Sequence, residues 1–264
     1  MEQIYNVLLK SERNSSDTPS ERNPSSFSPE GIRTWMRLPQ MMVDESRAAS
    51  ERIVTIARTD PAHFSFDILR TKMLKVMRKN KWMSVAITSP SNACGKTVVG
   101  LNLAFSFASL ADCRTILVDL DLRKPKVANV LGLEQFSSME DFIAGNAPIE
   151  RVFGRFGENL AIAANIRSVS SAAELLHGPA IRSRIAELKE QLSPDLMLFN
   201  LPPMLGADDV LAFLPNVDCA ILVAAAEAST IGEIDVCERI LAEETNLLGI
   251  VLNKCRLEPE KYGY

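Results

Sequence analysis

Apolar and polar positions divide the chain into two regions of different texture. From residue 53 onward, short apolar runs alternate with longer amphipathic segments. Apolar runs of this length predict strands that are buried on both faces, at residues 84–88, 115–120, 159–163, 196–201, 220–225 and 249–253. The amphipathic segments predict helices over residues 66–79, 96–111, 181–191 and 231–244. Because strands and helices alternate, we expect an α/β fold with a parallel sheet wrapped by helices.

The region before residue 53 has little to bury. Seven of the eighteen residues from Ser11 to Ser28 are serine, a composition typical of a linker. We therefore predict three parts: an N-terminal peptide and serine-rich linker, largely disordered, over residues 1–50; a folded domain over 51–254; and a C-terminal tail over 255–264.

Two stretches of the predicted linker carry apolar residues. Residues 1–13 are compatible with a short amphipathic helix, which alone would be marginal. Residues 33–43 are more apolar than their surroundings and have two interpretations. The favoured one is a sticky patch in a mobile tail, and the alternative is a segment that docks on the domain or on a partner.

Composition and charge exclude several classes of protein. With 47% hydrophobic residues in 264, the chain can bury a sizeable core, and a net charge of −4 argues against a nucleic-acid binder. The five cysteines form no CxxC pair, which argues against a disulfide framework or a zinc site. The longest clean apolar run, residues 219–226, is far shorter than the roughly 18 residues of a membrane-spanning helix. No signal-peptide pattern begins the chain, so we predict a cytoplasmic protein without a transmembrane segment of its own.

The sharpest local signal is a strand, a loop of small residues, Gly-Lys-Thr and a helix, in that order. Residues 84–97 read SVAITSPSNACGKT, the arrangement of a phosphate-binding P-loop. Backbone N–H groups would face the phosphates, Lys96 would reach the β- and γ-phosphates, and the Thr97 hydroxyl would coordinate Mg²⁺. Pro90 replaces the first glycine of the usual motif, so the match is imperfect. The candidate nucleotide-binding residues of the loop are Ser91, Asn92, Ala93, Cys94, Gly95, Lys96 and Thr97.

Two carboxylates follow the second of these strands. Asp119 and Asp121 are alternate residues, so both can point to one site at the carboxyl edge of the sheet. There they can hold Mg²⁺ or accept a proton from a hydroxyl nucleophile; the alternative is that one of them only caps the following turn. The strand at 196–201 carries Asn200 where a second metal-supporting acid is expected. Since an amide brings no charge, we expect catalysis to be weaker than binding.

A set of motifs runs through residues 61–264. They are Leu-Arg-Thr at 69–71, the P-loop, VDLDLRKP at 118–125, Glu-Leu-Leu at 174–176, Leu-Pro-Pro at 201–203, GIVLN at 249–253 and a tyrosine-bearing tail. Together they resemble the cytoplasmic domain of bacterial tyrosine kinases, the BY-kinases of capsule and exopolysaccharide assembly. The resemblance implies a doubly wound, mainly parallel sheet of the P-loop type, related to partition and septum-positioning ATPases.

The resemblance also implies an activity and its partners. It implies ATP with Mg²⁺, autophosphorylation of C-terminal tyrosines between neighbouring subunits, and self-association. It further implies activation by a membrane polysaccharide co-polymerase, which would recruit the protein to the inner face of the bacterial membrane. The phosphoacceptors would be Tyr262 and Tyr264, two of only three tyrosines in the chain.

Individual roles follow from matched positions in the family's motifs. Lys96 and Thr97 match the residues that bind ATP and Mg²⁺. Asp119 matches the base or metal-organising acid, and Asp121 matches its partner. Asn200 stands at a substituted Walker B position and is assigned with these acids to the metal site. Asn253 is a candidate for the adenine side, with a polar strand end as the equal alternative.

One helix departs from the family. Its usual Glu-x-x-Arg-x-x-Arg spacing reads Phe64-x-x-Asp67-x-x-Arg70 here, which puts a ring of the family type in doubt. The same helix continues into basic residues, namely Lys72, Lys75, Arg78, Lys79 and Lys81. A solvated face is the favoured interpretation of these charges, and contact with acidic lipid or a charged tail is the alternative.

Three functions remain open from the sequence. The favoured one is an ATP-dependent protein-tyrosine autokinase that regulates exopolysaccharide and capsule biosynthesis and export. The second is an ATP-binding regulatory subunit of the same machinery with weakened catalysis, which Asn200 supports. The third is a partition or positioning ATPase, which normally carries a lysine early in the loop, where this chain has Ser91.

Overall fold

Eight strands form one sheet in the part of the chain that the structure describes. The structure is a computed structural model, and it describes residues 3–7, 29–134, 137–206 and 208–255. The strands are β1 (Gln3–Val7), β2 (Ser84–Ser89), β3 (Thr115–Asp119), β4 (Phe153–Phe156), β5 (Leu160–Ala163), β6 (Leu196–Pro203), β7 (Cys219–Ala225) and β8 (Asn246–Cys255). Their order is β1-β8-β7-β2-β6-β3-β5-β4. The outer strands β1 and β4 run antiparallel to their neighbours, and the six strands between them are parallel.

Helices cover both faces of this sheet. They are α1 (Pro29–Arg37), α2 (Glu45–Ser50), α3 (His63–Asn80), α4 (Lys96–Ala108), α5 (Val127–Leu131), α6 (Met139–Ala144), α7 (Ile149–Val152), α8 (Ala172–His177), α9 (Pro179–Leu192), α10 (Asp209–Phe213) and α11 (Ile231–Glu244). Successive strand residues enter opposite cores: Leu117 belongs to the cluster that holds the buried residues of α3 and α4, whereas Ile116 and Val118 belong to the cluster that holds those of α9 and α11. The predicted doubly wound, mainly parallel α/β fold is confirmed.

The folded unit begins earlier than the predicted boundary at residue 51. Residues 29–50, which we assigned to the linker, contain α1 and α2 and pack on the domain. Trp35 is 1% exposed, and its Nε1 donates to the Glu158 carbonyl oxygen at 2.7 Å. The Met41 N–H donates to the Arg155 carbonyl at 2.8 Å. The docking interpretation of residues 33–43 therefore replaces the mobile patch, because their apolar side chains find a complementary surface.

The structure describes the two ends of the chain only in part. Residues 3–7 form strand β1 on the edge of β8, so a helix over residues 1–13 is wrong for this part. The serine-rich stretch over 11–28 and the tail over 256–264, with Tyr262 and Tyr264, lie outside the described residues.

None of the helices in the described ranges is both long enough and apolar enough to cross a bilayer.

Candidate nucleotide-binding site

The P-loop connects β2 to α4 at the carboxyl edge of the sheet. Its backbone takes the left-handed conformation at Ala93 (φ 65°) and at Gly95 (φ 92°), a geometry that turns successive N–H groups into an anion-binding nest. Gly95 is the N-cap of α4, and no side chain caps this helix. The first N–H groups of α4 are therefore available to an anion such as a phosphate.

Strand β8 holds this loop through Asn253. The Asn253 Nδ2 donates to the Cys94 carbonyl oxygen at 3.0 Å. A Cβ added at Gly95 would lie 2.2 Å from the same Nδ2, so glycine is required here by contact as well as by backbone angle. Asn253 thus lies directly against the loop, near the carboxyl end of β8.

Serine hydroxyl groups contact the backbone and the cysteine of the loop. The Ser89 Oγ donates to the Ser91 carbonyl oxygen at 2.8 Å. The buried Cys94 thiol lies 3.5 Å from Ser229 Oγ and 3.6 Å from Ser91 Oγ. Burial raises the pKa of this thiol, but hydrogen bonds from Ser229 and Ser91 outweigh burial and leave the pKa below its usual value. The thiol is part of the loop's packing and not of its open side.

The P-loop lysine is paired with an aspartate from the next strand. Lys96 Nζ lies 2.6 Å from Asp121 Oδ2, and both side chains are buried. The other carboxylate oxygen of Asp121 accepts the Lys124 N–H at 3.2 Å. A buried ammonium needs such a partner, because an unpaired charge away from water is costly. The pair holds the Lys96 side chain at the position where phosphate oxygens would bind.

Asn200 lies between the P-loop threonine and the other aspartate. Its Nδ2 donates to Asp119 Oδ1 at 2.8 Å and lies 3.5 Å from Thr97 Oγ1. Its Oδ1 is buried and has no hydrogen-bond partner among the described residues. A buried acceptor without a partner is uncommon, and this one is next to the hydroxyl that a P-loop uses for a metal ion.

The carboxyl group of Asp119 is fully buried, and its pKa is raised to about 7. Burial is the main cause; the hydrogen bond from Asn200 lowers the pKa, and the negative charge of Asp121 raises it. The carboxylate also accepts backbone N–H groups from Asp121 (3.3 Å) and Val127 (3.4 Å). A carboxyl group with this pKa can gain and lose a proton near neutral pH, which suits a general base.

Two residues that were not predicted from the sequence also position this cluster. Asn165, after β5, donates to the Asp119 carbonyl oxygen at 2.6 Å and accepts the Met139 N–H at 2.8 Å. Arg123 binds the buried Asp209 with two hydrogen bonds, at 2.6 and 3.0 Å, and so ties the end of the β3 segment to α10. The signal that the sequence holds for Asn165 is its position two residues after the apolar strand β5. Nothing in the sequence indicated that Arg123 would pair with Asp209.

A cavity of about 110 Å³ lies beside the loop. Its walls are Arg52, Val54, Ala62, Phe66, Gly95, Val98, Asn253 and Lys254. The cavity is mainly apolar, with the Asn253 amide at the side of the P-loop.

The structure brings most of the predicted site residues together. Lys96, Thr97, Asp119, Asp121 and Asn200 form one buried cluster at the carboxyl edge of the sheet. Asn253 lies on the other side of the loop. In the described ranges, this cluster included, no group of three or more His, Cys, Asp or Glu side chains gathers at one place.

Relatives in sequence are named as tyrosine kinases. The chain is 28% identical over 207 residues to the putative tyrosine-protein kinase EpsB of Ralstonia solanacearum, an alignment that covers 78% of this chain and 27% of that protein. It is 27% identical over 187 residues to the tyrosine-protein kinase CpsD of Streptococcus pneumoniae, covering 70% of this chain and 81% of CpsD. The predicted resemblance to bacterial tyrosine kinases is confirmed. No protein-family model matches the chain, which spans less than a third of the length of EpsB.

Solved structures share the fold. The kinase domain of the Escherichia coli tyrosine kinase ETK superposes with a TM-score of 0.71 at 24% identity, covering 80% of this chain and 84% of that domain. The septum site-determining protein MinD of Pyrococcus horikoshii, solved with Mg-ADP, gives a TM-score of 0.53 at 24% identity, covering 64% and 68% of the two chains. The P-loop fold that the sequence predicted is thus the fold of these proteins.

Proposed function

We propose that the protein is an ATP-dependent protein-tyrosine autokinase that regulates exopolysaccharide or capsule biosynthesis and export. In this proposal, one copy phosphorylates Tyr262 and Tyr264 of another. The observation that carries the proposal is the buried cluster in which Lys96 pairs with Asp121 and Asn200 joins Thr97 to Asp119. The named kinases that the chain resembles support the choice of tyrosine as acceptor.

ATP would bind along the P-loop. The N–H groups at the start of α4 and in the loop would receive the phosphates, and Lys96 would bind their oxygens. The nucleobase would enter the adjacent cavity, where the Phe66 side chain and the Asn253 amide form part of the wall. This arrangement supports the adenine-side assignment of Asn253 over a simple polar strand end.

The residues present fit a magnesium ion. The orphaned Asn200 Oδ1 is suited to accept a hydrogen bond from a metal-bound water, and the Thr97 hydroxyl is suited to bind the metal directly. Asp119 and Asp121 supply negative charge on the same side. When bound, Mg²⁺ would neutralise charge on the transferring phosphoryl group.

The proton of the incoming tyrosine would pass to Asp119. Its pKa of about 7 leaves a substantial fraction ionised at neutral pH, and a base is most effective when its pKa is near the working pH. Asn165 and Asn200 hold this residue from two sides, by its carbonyl and by its carboxylate. Catalysis would consist of positioning and charge stabilisation, without a covalent enzyme intermediate.

A second candidate is a regulatory subunit that binds ATP and has weakened catalysis. The Asn200 amide favours it, because a neutral group stands where a charged metal-supporting acid is expected. In this case the nucleotide would bind and little phosphotyrosine would form.

The partner and location follow from the same proposal. A membrane polysaccharide co-polymerase would activate the protein and recruit it to the inner face of the bacterial membrane. Transfer between copies also requires self-association, at least transiently. The pairing of Arg70 with Asp67 and Ser106 inside one subunit leaves this arginine unsuited to a ring contact of the family type.

Purified protein incubated with labelled ATP and Mg²⁺ tests the proposal. We expect label on tyrosine, its loss in Lys96→Met, and its loss when Tyr262 and Tyr264 are both changed to Phe. Tyr5→Phe is the matched control, because it removes the only other tyrosine in the chain. ATP binding without phosphotyrosine, even in the presence of the membrane partner, would select the regulatory subunit instead.

A further inference from the structure

One face of helix α3 is exposed among the residues that the structure describes. The helix buries Phe66, Leu69, Met73 and Met77, which lie on the side opposite to that face. Positions 64, 68, 72, 75 and 79 are spaced by three or four residues and therefore share the outer face. The helix has 18 residues, so this face is about 27 Å long.

The outer face is apolar at one end and basic at the other. Phe64 and Ile68, one turn apart, are 61% and 54% exposed. Five exposed basic residues follow along this face and at the end of the helix, namely Lys72, Lys75, Arg78, Lys79 and Lys81. We call these seven residues the α3 surface.

Asp67, which pairs with Arg58 and Arg70, is the last acidic residue before a long basic stretch of the sequence. Residues 68–111 contain seven basic residues and no acidic one, although the whole chain has a net charge of −4. Two of the seven have partners within the domain, since Arg70 binds Asp67 and Lys96 binds Asp121. None of the five basic residues of the α3 surface forms an ion pair with any residue that the structure describes.

This pattern differs from that of an ordinary solvated helix face. Solvated faces usually mix charges of both signs, and exposed Phe and Ile side chains usually occur singly. Exposed apolar side chains next to a row of cations combine the two contributions that bind a protein surface to an anionic membrane, which are apolar area and electrostatic attraction. The surface is also a convex helix flank and not a groove, so it fits a flat partner better than an extended peptide.

We propose that the α3 surface binds the anionic surface of a lipid bilayer. Phe64 and Ile68 insert among the acyl chains, and the lysines contact lipid phosphates. The contact goes beyond recruitment by a protein partner, because it gives the chain an affinity for the membrane of its own. It uses none of the side chains of the nucleotide site.

Vesicle co-sedimentation of the full chain tests this inference. The probe is a set of vesicles of phosphatidylcholine with increasing phosphatidylglycerol, compared with vesicles of phosphatidylcholine alone. We expect binding that rises with the anionic fraction and is lost in about 1 M salt, where charges are screened within about 3 Å. Neutralising Lys72, Lys75 and Lys79 to Gln should lower the partition coefficient on the order of 100-fold.

Matched variants separate the surface from net charge. Changing the exposed Arg167, Arg182 and Lys189 to Gln removes the same charge elsewhere and should leave binding unchanged. Phe64→Ala should lower binding about tenfold, whereas Ile231→Ala, at another exposed apolar position, should not. All variants should keep the circular dichroism spectrum and the ATP affinity of the wild type.

Two results would overturn the inference. One is equal binding of the wild type and the triple Lys variant to anionic vesicles. The other is absence of vesicle binding together with retention on polyglutamate beads that the triple Lys variant loses, which would assign the α3 surface to an acidic protein.

Discussion

Replacing Asn200 by aspartate tests how the neutral amide shapes the candidate site. Asn200→Asp removes the donor that Asp119 Oδ1 accepts at 2.8 Å and places a carboxylate there. Two unit charges about 4 Å apart interact by about 4 kcal/mol at an effective dielectric of 20. Without metal, we therefore expect the variant to unfold at lower temperature, or to keep Asp119 protonated.

With Mg²⁺ and nucleotide, the same change should be favourable. The added charge would attract the metal ion, so the stabilisation of the variant by Mg-ADP should exceed that of the wild type. Phosphotyrosine formation should rise at least tenfold, which corresponds to about 1.4 kcal/mol of the barrier. Thermal unfolding with EDTA or Mg-ADP, and labelled-ATP transfer, measure the two effects.

A charge-matched variant is the control for this experiment. Asn146→Asp adds the same charge at an exposed position and should change neither quantity. The reasoning is refuted if Asn200→Asp gains neither phosphorylation nor a larger Mg-ADP shift in unfolding temperature.

Three further changes probe the loop, the N-terminal segment and α3. Gly95→Ala places a Cβ 2.2 Å from Asn253 Nδ2, so ATP affinity measured by calorimetry should fall at least tenfold. Gly232→Ala is the control and should leave the ATP affinity unchanged, because a Cβ at this position meets open space. Trp35→Ala should lower the free energy of unfolding in urea by about 3–5 kcal/mol, whereas Met42→Ala, at a residue 90% exposed, should lower it by less than about 0.5 kcal/mol. Burial raises the pKa of Asp67, but its serine and arginine partners outweigh burial and leave the pKa below 3.8. Asp67→Asn should therefore lower the free energy of unfolding above about pH 4. The difference in free energy between variant and wild type should vanish as the pH falls through the pKa of Asp67 in the folded protein. An unchanged difference at pH 2 would contradict the last expectation.

The strands were predictable because the centre of the sheet is buried on both sides. Strands β2, β3 and β7 lie within one residue of their predicted bounds at each end. Strand β8 is longer than predicted, Asn246–Cys255 against 249–253, because its ends are partly exposed and lack the continuous apolar pattern. Helices of four to six residues, such as α7 and α8, were missed since they are too short to show a helical period.

The docking of residues 33–43 was the less favoured of two interpretations, because the local pattern could not decide between them. The buried Trp35 side chain donates a hydrogen bond to the Glu158 carbonyl oxygen, and the Arg114 guanidinium lies 5.3 Å from the centre of its ring. Both partners are distant from Trp35 in sequence. A linker composition and a docked segment look alike until these partners are known.

The candidate site was predictable as a set and not in its pairings. Alternation placed Asp119 and Asp121 at one edge of the sheet, and the structure brings both there. The sequence did not indicate that Asp121 would form an ion pair with Lys96, or that Asp119 would accept a hydrogen bond from Asn200. These pairings depend on the order of the strands in the sheet. Asn165 was missed because its role is to hold a backbone carbonyl, which has no motif.

Transfer between copies is the central claim, and one mixing experiment tests it most directly. A donor with Tyr262→Phe and Tyr264→Phe and an acceptor with Lys96→Met are incubated together with ATP and Mg²⁺, and phosphate is mapped by mass spectrometry. The account predicts phosphate on Tyr262 and Tyr264 of the acceptor, and none when either protein is incubated alone. The account would be contradicted if the acceptor stayed unmodified in the mixture while the wild-type protein, incubated separately, phosphorylated its own tail.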